Sequence, residues 1–416
     1  MKIAVFTDLY LEIAGGIPSS ISAQKTALEK LGHEVVIFCP GKKTPDTENV
    51  VLLPTSKFIK ISGAPTAKWP GKIVDFIAKN FENFGQDFDL IHAHYEAGAS
   101  IAAVLLAKKY NLPLVQTMHG REDMAIAVNV PHPFKTLAGY ALNGIHRAYL
   151  EKYTKTSPVK RDHYLANMHC KQQMWELIQR QANSADQVIT PSEHFAEKLK
   201  KYGVSKPITA VSNGVSDKVA SDSTWEIRTL NEAKNEPLRI ISTCRLSREK
   251  RILPFLKSLK LVNDQKPGSF RFTIAGDGND MKKAKKLAKK YKIDDFCDFL
   301  GAVPHEKVME LLKNQHLSIT NSYGFDTQGL TLLEAGAVGL PVLYCDKDMD
   351  KIVVKDAAIR PIDESSEEMA KVILDILEHP ERIAKMSENA FSHRDTVLQS
   401  HQIKNLLGVY KKALKI

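Results

Sequence analysis

The opening forty or so residues constrain this chain more than any other part of it. Residues 2–6 (KIAVF) form a short apolar run suited to a buried strand. Gly15-Gly16 mark a turn, residues 17–31 repeat apolar side chains at helical spacing, and residues 34–38 (EVVIF) are a second strand. Strand, glycine turn, helix and strand in that order make a βαβ unit, and such units build parallel sheets. Leu90-Ile91, Leu114–Thr117 and Gln187–Thr190 read as later strands. Thr190-Pro191-Ser192-Glu193 reads as a helix start, with Thr190 as cap, Pro191 in the first turn and Glu193 closing a capping box.

The same grammar restarts past the middle of the chain. Leu238–Ser242 (LRIIS) and Phe270–Ala275 (FRFTIA) are strands with a helix over 253–263 between them. Leu317–Thr320 is a further strand, 329–337 a helix and 341–344 a strand. At 416 residues the chain exceeds what one core usually supports, roughly 250–300 residues. The expected organisation is α/β: two doubly wound, Rossmann-like domains, over 1–212 and 237–395, facing a central cleft. A polar linker, 213–236, joins them, and a closing helix lies within 396–416. In such sheets ligands bind beyond the carboxyl ends of the strands.

Charge narrows the partners. Lys and Arg exceed Asp and Glu by 58 − 48 = 10. A basic balance suits nucleic acid, an anionic membrane or a phosphate-bearing substrate. The excess is spread over both halves without a detachable basic arm, so no nucleic-acid partner is expected. The seven lysines of 281–292 (MKKAKKLAKKYK) read as a solvated helix face, with Ala284, Leu287 and Ala288 turned inward. Five cysteines, odd in number and without CxxC spacing, argue against a disulfide scaffold or a zinc ribbon and for reduced thiols in the cytosol. The N-terminus reads as a strand rather than a signal peptide. The longest apolar stretch, 97–107, is shorter than the ~18–20 residues that span a bilayer. The expected location is cytoplasmic, with a peripheral position on the inner face of the cell membrane.

Several short segments carry chemistry. Gly16 lets backbone amides approach a phosphate at a helix start, although the pair with Gly15 is not the GxGxxG of dinucleotide sites. Residues 243–250 (TCRLSREK) follow a strand, so Arg245 and Lys250 stand at its end, where a guanidinium fork and a mobile ammonium suit a diphosphate. Gly276 and Gly278 bracket Asp277 in a tight turn. Asp326 and Glu334 are eight residues apart, one in a loop and one inside the helix that follows. The helix start near Thr327, Gln328, Gly329 and Leu330 offers free N–H groups. Glu334 sits in an apolar run (LTLLEAGAVG), and a carboxylate there needs partners that ribose hydroxyls could supply. His92 and His94 read as structural, since HxH alone is weak zinc evidence. No DxD metal signature precedes a nucleotide site, and residues 346–350 (DKDMD) read as a solvated loop.

Together these segments resemble glycosyltransferase family 4, retaining enzymes of the GT-B fold. The resemblance spans nearly the whole chain. It rests on the Gly15-Gly16 loop, HAH at 92–94, TMHG at 117–120, TPSEH at 190–194, SNGV at 212–215, RLSREK at 245–250, AGDG at 275–278 and the acidic pair. The family's E-x(7)-E stands here as Asp326-x(7)-Glu334, one methylene shorter at the first acid, and Arg251 replaces the glycine usual after the lysine. DTQGLTLLEA looks most like the diacylglycerol glucosyltransferases, which carry ETQGL at this place.

The resemblance implies a donor site in the C-terminal domain and an acceptor side in the N-terminal domain. Arg245 and Lys250 would hold a sugar nucleotide's diphosphate and stabilise it as it leaves. Asp326 would hold the C3 and C4 hydroxyls, amides around Thr327, Gln328, Gly329 and Leu330 would fix the sugar, and Glu334 would grip the ribose. Gly16 and Gly276 would approach the donor, and His119 would lie by the anomeric centre. The implied chemistry is front-face transfer from a UDP-hexose, UDP-glucose above all, with no metal or other cofactor, to a lipid such as diacylglycerol. A polysaccharide, teichoic-acid or small-molecule acceptor is the alternative within the class, and a GT-B UDP-sugar epimerase the alternative outside it. Residues 56–84 interleave Lys57, Lys60, Lys68, Lys72 and Lys79 with Phe58, Ile59, Trp69, Phe76, Ile77 and Phe81. This stretch is either an anionic-membrane surface or an amphipathic helix packed on its own sheet. Residues 131–174 carry no strand pattern and are expected to shape the acceptor side.

Overall fold

The computed structural model describes the chain apart from residues 10–15, 42–48, 62–63, 68, 85–86, 132, 155, 160–164, 166–168, 221–224 and 232–235. It divides into two compact units, Met1–Asn213 joined by Gln402–Ile416, and Gly214–His401.

The first unit is built on a seven-stranded sheet in the order β3-β2-β1-β6-β7-β8-β9. Its strands are β1 (Lys2–Thr7), β2 (Glu34–Cys39), β3 (Val50–Leu52), β6 (Leu90–His94), β7 (Leu114–Thr117), β8 (Gln187–Thr190) and β9 (Ile208–Ala210). β4 (Thr55–Ile61) and β5 (Ala64–Ala67) form a separate antiparallel pair. All seven strands pair in parallel. Parallel strands covered on both faces read as continuous apolar runs, which is why KIAVFT and EVVIFC show little alternation. Ala4 and Phe6 face one layer, where Phe6 stacks on Phe38 with ring centroids 4.6 Å apart. Ile3 and Val5 face the other, against Ile21 and Leu28 of helix Gly16–Lys30 and Ile403, Leu406, Val409 and Tyr410 of helix Gln399–Leu414. The chain's last helix thus completes the core begun by its first strand.

The buried helix Gly98–Tyr110 fills the opposite layer. Its N-terminal amides have no local cap. The Asp8 carboxylate, just past β1, accepts from Ala99 N (2.7 Å) and Ser100 N (3.4 Å) instead. In helix Pro70–Phe84, Ile73 and Ile77 are buried, Phe76 packs on the core, and Lys72 and Lys79 are exposed. That part of 56–84 therefore uses its apolar side on its own sheet. Gly15 and Lys68 lie outside the described residues, as do the side chains of Lys57, Phe58, Ile59, Lys60 and Phe81. The expected helix start at Thr190 moves. Helix Glu193–Lys201 has Ser192 at its cap position, two residues later, and the Thr190 hydroxyl donates to Ser192 O (2.9 Å), tying the loop rather than capping the helix. The segment without strand pattern holds helix Phe134–Leu150, which packs on helix His169–Asn183.

The second unit repeats the plan with six parallel strands in the order β12-β11-β10-β13-β14-β15. They are β10 (Leu238–Ser242), β11 (Phe270–Ala275), β12 (Cys297–Gly301), β13 (Leu317–Thr320), β14 (Val342–Tyr344) and β15 (Ala358–Ile359). Phe255, Phe270 and Phe272 anchor its core, each worth about 1.5–3 kcal/mol when fully buried. On helix Met281–Tyr291 only Ala284 and Ala288 are buried, and its lysines face solvent as their spacing requires. Trp225, in the polar stretch 213–236, is buried against Ile241 and Leu340 of this unit. Among the described residues no helix is long and apolar enough to cross a membrane.

Candidate active site

In the second unit the expected residues collect on loops after parallel strands. The loop after β10 ends in a single tight turn, Arg248–Lys250. Lys250 Nζ lies 2.7 Å from Asp326 Oδ1, in the loop after β13, and 5.7 Å from the Phe325 ring centre. Burial disfavours the Lys250 charge, but Asp326 outweighs it and holds the ammonium above its ordinary value. The other carboxylate oxygen of Asp326, Oδ2, is buried and has no hydrogen-bond partner among the described residues. A buried acceptor in that state is suited to a hydroxyl from outside the protein. Arg245 extends from the same loop with 60% of its side chain exposed, and its guanidinium is 3.8 Å from the buried Glu249.

Two devices hold this loop in shape. Arg251 has φ 52° and ψ 34°, in the left-handed region, a geometry that accounts for the glycine usual at this place in the resembled family. An L-residue pays about 1–2 kcal/mol for it. Here the Arg251 side chain offsets the strain, donating to Glu364 O (2.7 Å) and lying over Tyr323 (5.7 Å), while Asn321 Nδ2 donates to Arg251 O (2.7 Å). The second device is AGDG. A Cβ on Gly276 would fall 2.0 Å from Cys244 O, and one on Gly278 would fall 2.4 Å from Leu246 O. These glycines let two backbones touch, and Leu246 N donates to Asp277 O (2.9 Å) across the contact. The Gly276 N–H itself donates to Gly301 O (2.7 Å).

Helix Leu330–Ala337 begins after Gly329, whose φ of 72° again needs glycine, and no side chain caps its first turn. Thr327, Gln328, Gly329 and Leu330 form this entry, with Gln328 buried. Glu334 is buried too, and its Oε1 lies 2.9 Å from His305 Nε2, at the start of helix His305–Lys313. That hydrogen bond, working against burial, raises the affinity of His305 for its proton. The protein thus supplies one partner for the Glu334 carboxylate that the apolar run left unassigned. Residues 346–350 are not a plain solvated loop. Asp346 is buried because its carboxylate accepts from Gly324 N (2.7 Å) and Asp348 N (3.1 Å), bracing the loop that carries Asp326.

The first unit holds Gly16 and His119. Gly16 opens helix Gly16–Lys30. His119, just past β7, is buried, with Nε2 2.8 Å from His94 Nδ1. Burial pulls its proton affinity down to about 3, so the ring is neutral at pH 7. His92 is fully engaged, with Nδ1 2.7 Å from Tyr410 Oη and Nε2 2.6 Å from Thr117 Oγ1. It ties the sheet to the last helix, a structural role.

Residues 14–219 match the domain model "Glycosyltransferase Family 4", and residues 223–393 match "Glycosyl transferases group 1". The chain belongs to glycosyltransferase family 4. An alpha-monoglucosyldiacylglycerol synthase of Acholeplasma laidlawii is 25% identical over 407 residues, covering 94% of this chain and 92% of that protein. Sucrose-phosphate synthase of Thermosynechococcus elongatus superposes with TM-score 0.71 at 16% identity, over 100% of this chain and 99% of the other. Anabaena HepE in complex with UDP and glucose superposes with TM-score 0.64 at 14% identity, over 98% of each chain. The fold of this family 4 glycosyltransferase is GT-B.

Sequence reasoning missed several polar groups of this glycosyltransferase. His305 follows a short edge strand, β12, that the apolar pattern did not reveal. Glu96 and Glu122 follow β6 and β7 and flank Gly120, where a Cβ would meet Glu122 Oε1 at 2.5 Å and Glu96 Oε2 at 3.7 Å. Burial raises both acids and their mutual charge adds to the rise on Glu96, with Glu122 reaching about 7. Asp8 is raised to about 6 by burial, against the amides it caps. Tyr95, between His94 and Glu96, has φ 82°. The available signal was position: a polar residue directly after an apolar strand in a parallel sheet faces the ligand edge.

Proposed function

We propose that this glycosyltransferase moves a hexose, glucose in the simplest case, from a UDP-sugar to a hydroxyl of a lipid such as diacylglycerol, with retention at the anomeric carbon. The observation that carries the reading is the Lys250–Asp326 pair. One cation and one acid with an unfilled oxygen stand at neighbouring strand ends, a combination suited to an anionic diphosphate beside a neutral sugar. The name of the Acholeplasma relative supports the lipid acceptor, and UDP with glucose on a protein of the same fold supports the donor.

In this reading Arg245 and Lys250 neutralise the diphosphate as charge builds on it. Asp326 accepts from sugar hydroxyls, and Glu334 binds the ribose beside His305. The amides of Thr327, Gln328, Gly329 and Leu330 fix the hexose, and Gly16 and Gly276 keep the backbone thin near the donor. His119, neutral and backed by His94, hydrogen-bonds at the anomeric end. The C1–O bond to phosphate breaks and the acceptor oxygen bonds to C1 on the same face. The acceptor's proton passes to the departing phosphate oxygen, so neither a protein base nor a metal is needed. The work takes place on the inner membrane face.

The test is incubation with UDP-glucose and diacylglycerol-containing vesicles, read by mass spectrometry and the anomeric NMR coupling. An α-glucosyl lipid is expected. A β product would overturn retention, and conversion of UDP-glucose to another UDP-hexose without acceptor would establish an epimerase.

A further inference from the structure

Helix Phe134–Leu150 carries apolar side chains on both faces: Leu150, Ala138, Ile145 and Tyr149 pack on the core, while others face outward. Its buried side carries Gly139, Asn143, His146 and Leu150. A Cβ on Gly139 would lie 3.2 Å from Cys170 Cα, so the glycine sets the close approach of helix His169–Asn183. Asn143 Nδ2 donates to Gln173 Oε1 (2.7 Å) and Glu176 Oε2 (2.8 Å), and its Oδ1 accepts from Arg180 (2.7 Å). His146 Nε2 lies 2.9 Å from Glu96 O. These polar groups pair inside, although His146 Nδ1 and Arg180 Nε have no hydrogen-bond partner among the described residues. The outer side carries Phe134 (64% exposed), Leu137 (69%) and Tyr140 (52%), and the stripe continues at helical spacing through Ala141, Gly144 and Ala148. A helix on a water-soluble surface keeps its outer face polar. Single exposed apolar residues need no explanation, whereas a continuous stripe marks a contact surface.

We propose that this face seats in the interfacial layer of an anionic bilayer. Basic groups stand at both ends of the stripe, half-buried Lys135 at its start and, at its finish, exposed Lys152 and Arg147, the latter 3.8 Å from Glu176, and such cations suit an anionic headgroup layer. Tyr140, apolar in body and polar at its tip, suits the headgroup boundary. A diacylglycerol acceptor resides in the bilayer, and no described helix can carry the protein across one, so the enzyme meets its acceptor from the surface. This last argument rests on the function proposed above; the binding measurement below does not.

The full chain is floated with phosphatidylcholine vesicles with and without phosphatidylglycerol. Wild type is expected to rise with the anionic vesicles, and F134S/L137S to lose at least about tenfold in partitioning, a loss of the size two exposed apolar side chains can supply. I362S, a change at a still more exposed apolar residue in the second unit, is expected to float as wild type. Should the double variant melt early, Phe134→Trp in the otherwise native chain replaces it: its emission should shift to the blue on adding anionic vesicles. Wild type left in the pellet, a double variant that floats like wild type, or a Phe134→Trp emission that ignores vesicles would each overturn the proposal. Self-association in vesicle-free buffer that F134S/L137S abolishes while flotation persists would instead assign the face to a second copy. If wild type floats but makes no glucosyl lipid, the acceptor assignment fails and the surface stands.

Discussion

The two units treat charge in opposite ways. In the second, Lys250 and Asp326 pair 2.7 Å apart, Arg245 is exposed, and on Lys250 burial loses to attraction, so its ammonium keeps its charge. In the first, burial wins. His92 and His119 are held down to about 3, and Glu96 and Glu122 are pushed up, so burial favours the uncharged form of each. The difference teaches that one parallel-sheet plan can carry a charged pair at one strand edge and titratable groups that burial keeps uncharged at another. What selects between them is whether a counter-charge lies within a few ångströms.

The sharpest way to break this contrast is Lys250→Ala, which leaves the Asp326 carboxylate uncompensated and removes a cation from the diphosphate. Turnover should fall about 10²–10³-fold, roughly 2.7–4 kcal/mol of transition-state stabilisation, with melting temperature as the control for folding. Unchanged turnover would mean the ionised edge is only structural. Arg245→Ala should cost more than tenfold, about 1.4 kcal/mol, in steady-state rates with UDP-glucose. Because Arg245 is exposed, little change in stability should accompany it.

His305→Gln asks whether the Glu334 contact orders the donor. The donor KM should rise about threefold, under 1 kcal/mol, with kcat nearly unchanged. The wild-type contact should weaken as pH climbs through the raised His305 value, while the variant stays flat. The smallest effect lies in the neutral edge. Glu122 binds its proton more tightly folded than unfolded, so its contribution to stability is complete below about 4.3, its unfolded value, and is lost as pH rises to about 7. Urea midpoints across that window should decline for wild type and less steeply for Glu122→Gln. Parallel slopes would remove the acid pair from the account.

Much of the scaffold was legible because parallel strands announce themselves. Leu114–Thr117, Gln187–Thr190, Leu238–Ser242, Phe270–Ala275 and Leu317–Thr320 lie where apolar runs put them. β12, an edge strand with two exposed residues among five, and the three-residue β3 and β9 carry too little of that signal. In the site, Lys250 and Asp326 are 76 positions apart, and their juxtaposition was implied only through family resemblance. Partners such as His305 for Glu334 and Asp346 for Gly324 are choices of tertiary packing that no local pattern encodes. The helix Phe134–Leu150 was opaque for another reason: apolar side chains lie on both its faces, so their spacing does not tell which side turns inward.

The docking of the last helix has a consequence for synthesis. Ile3 and Val5 find part of their cover in Ile21 and Leu28, and the rest when Ile403, Leu406 and Tyr410 arrive. At about 5–20 residues per second, a ribosome needs on the order of ten to forty seconds after finishing the first unit's sheet to deliver them. Throughout that interval one face of the nascent sheet stays only partly covered, and the His92 ring waits for its Tyr410 hydroxyl. A chain cut short by even its final turns would leave the translation machinery looking nearly whole while carrying a greasy, unsealed flank, ready prey for chaperones and proteases.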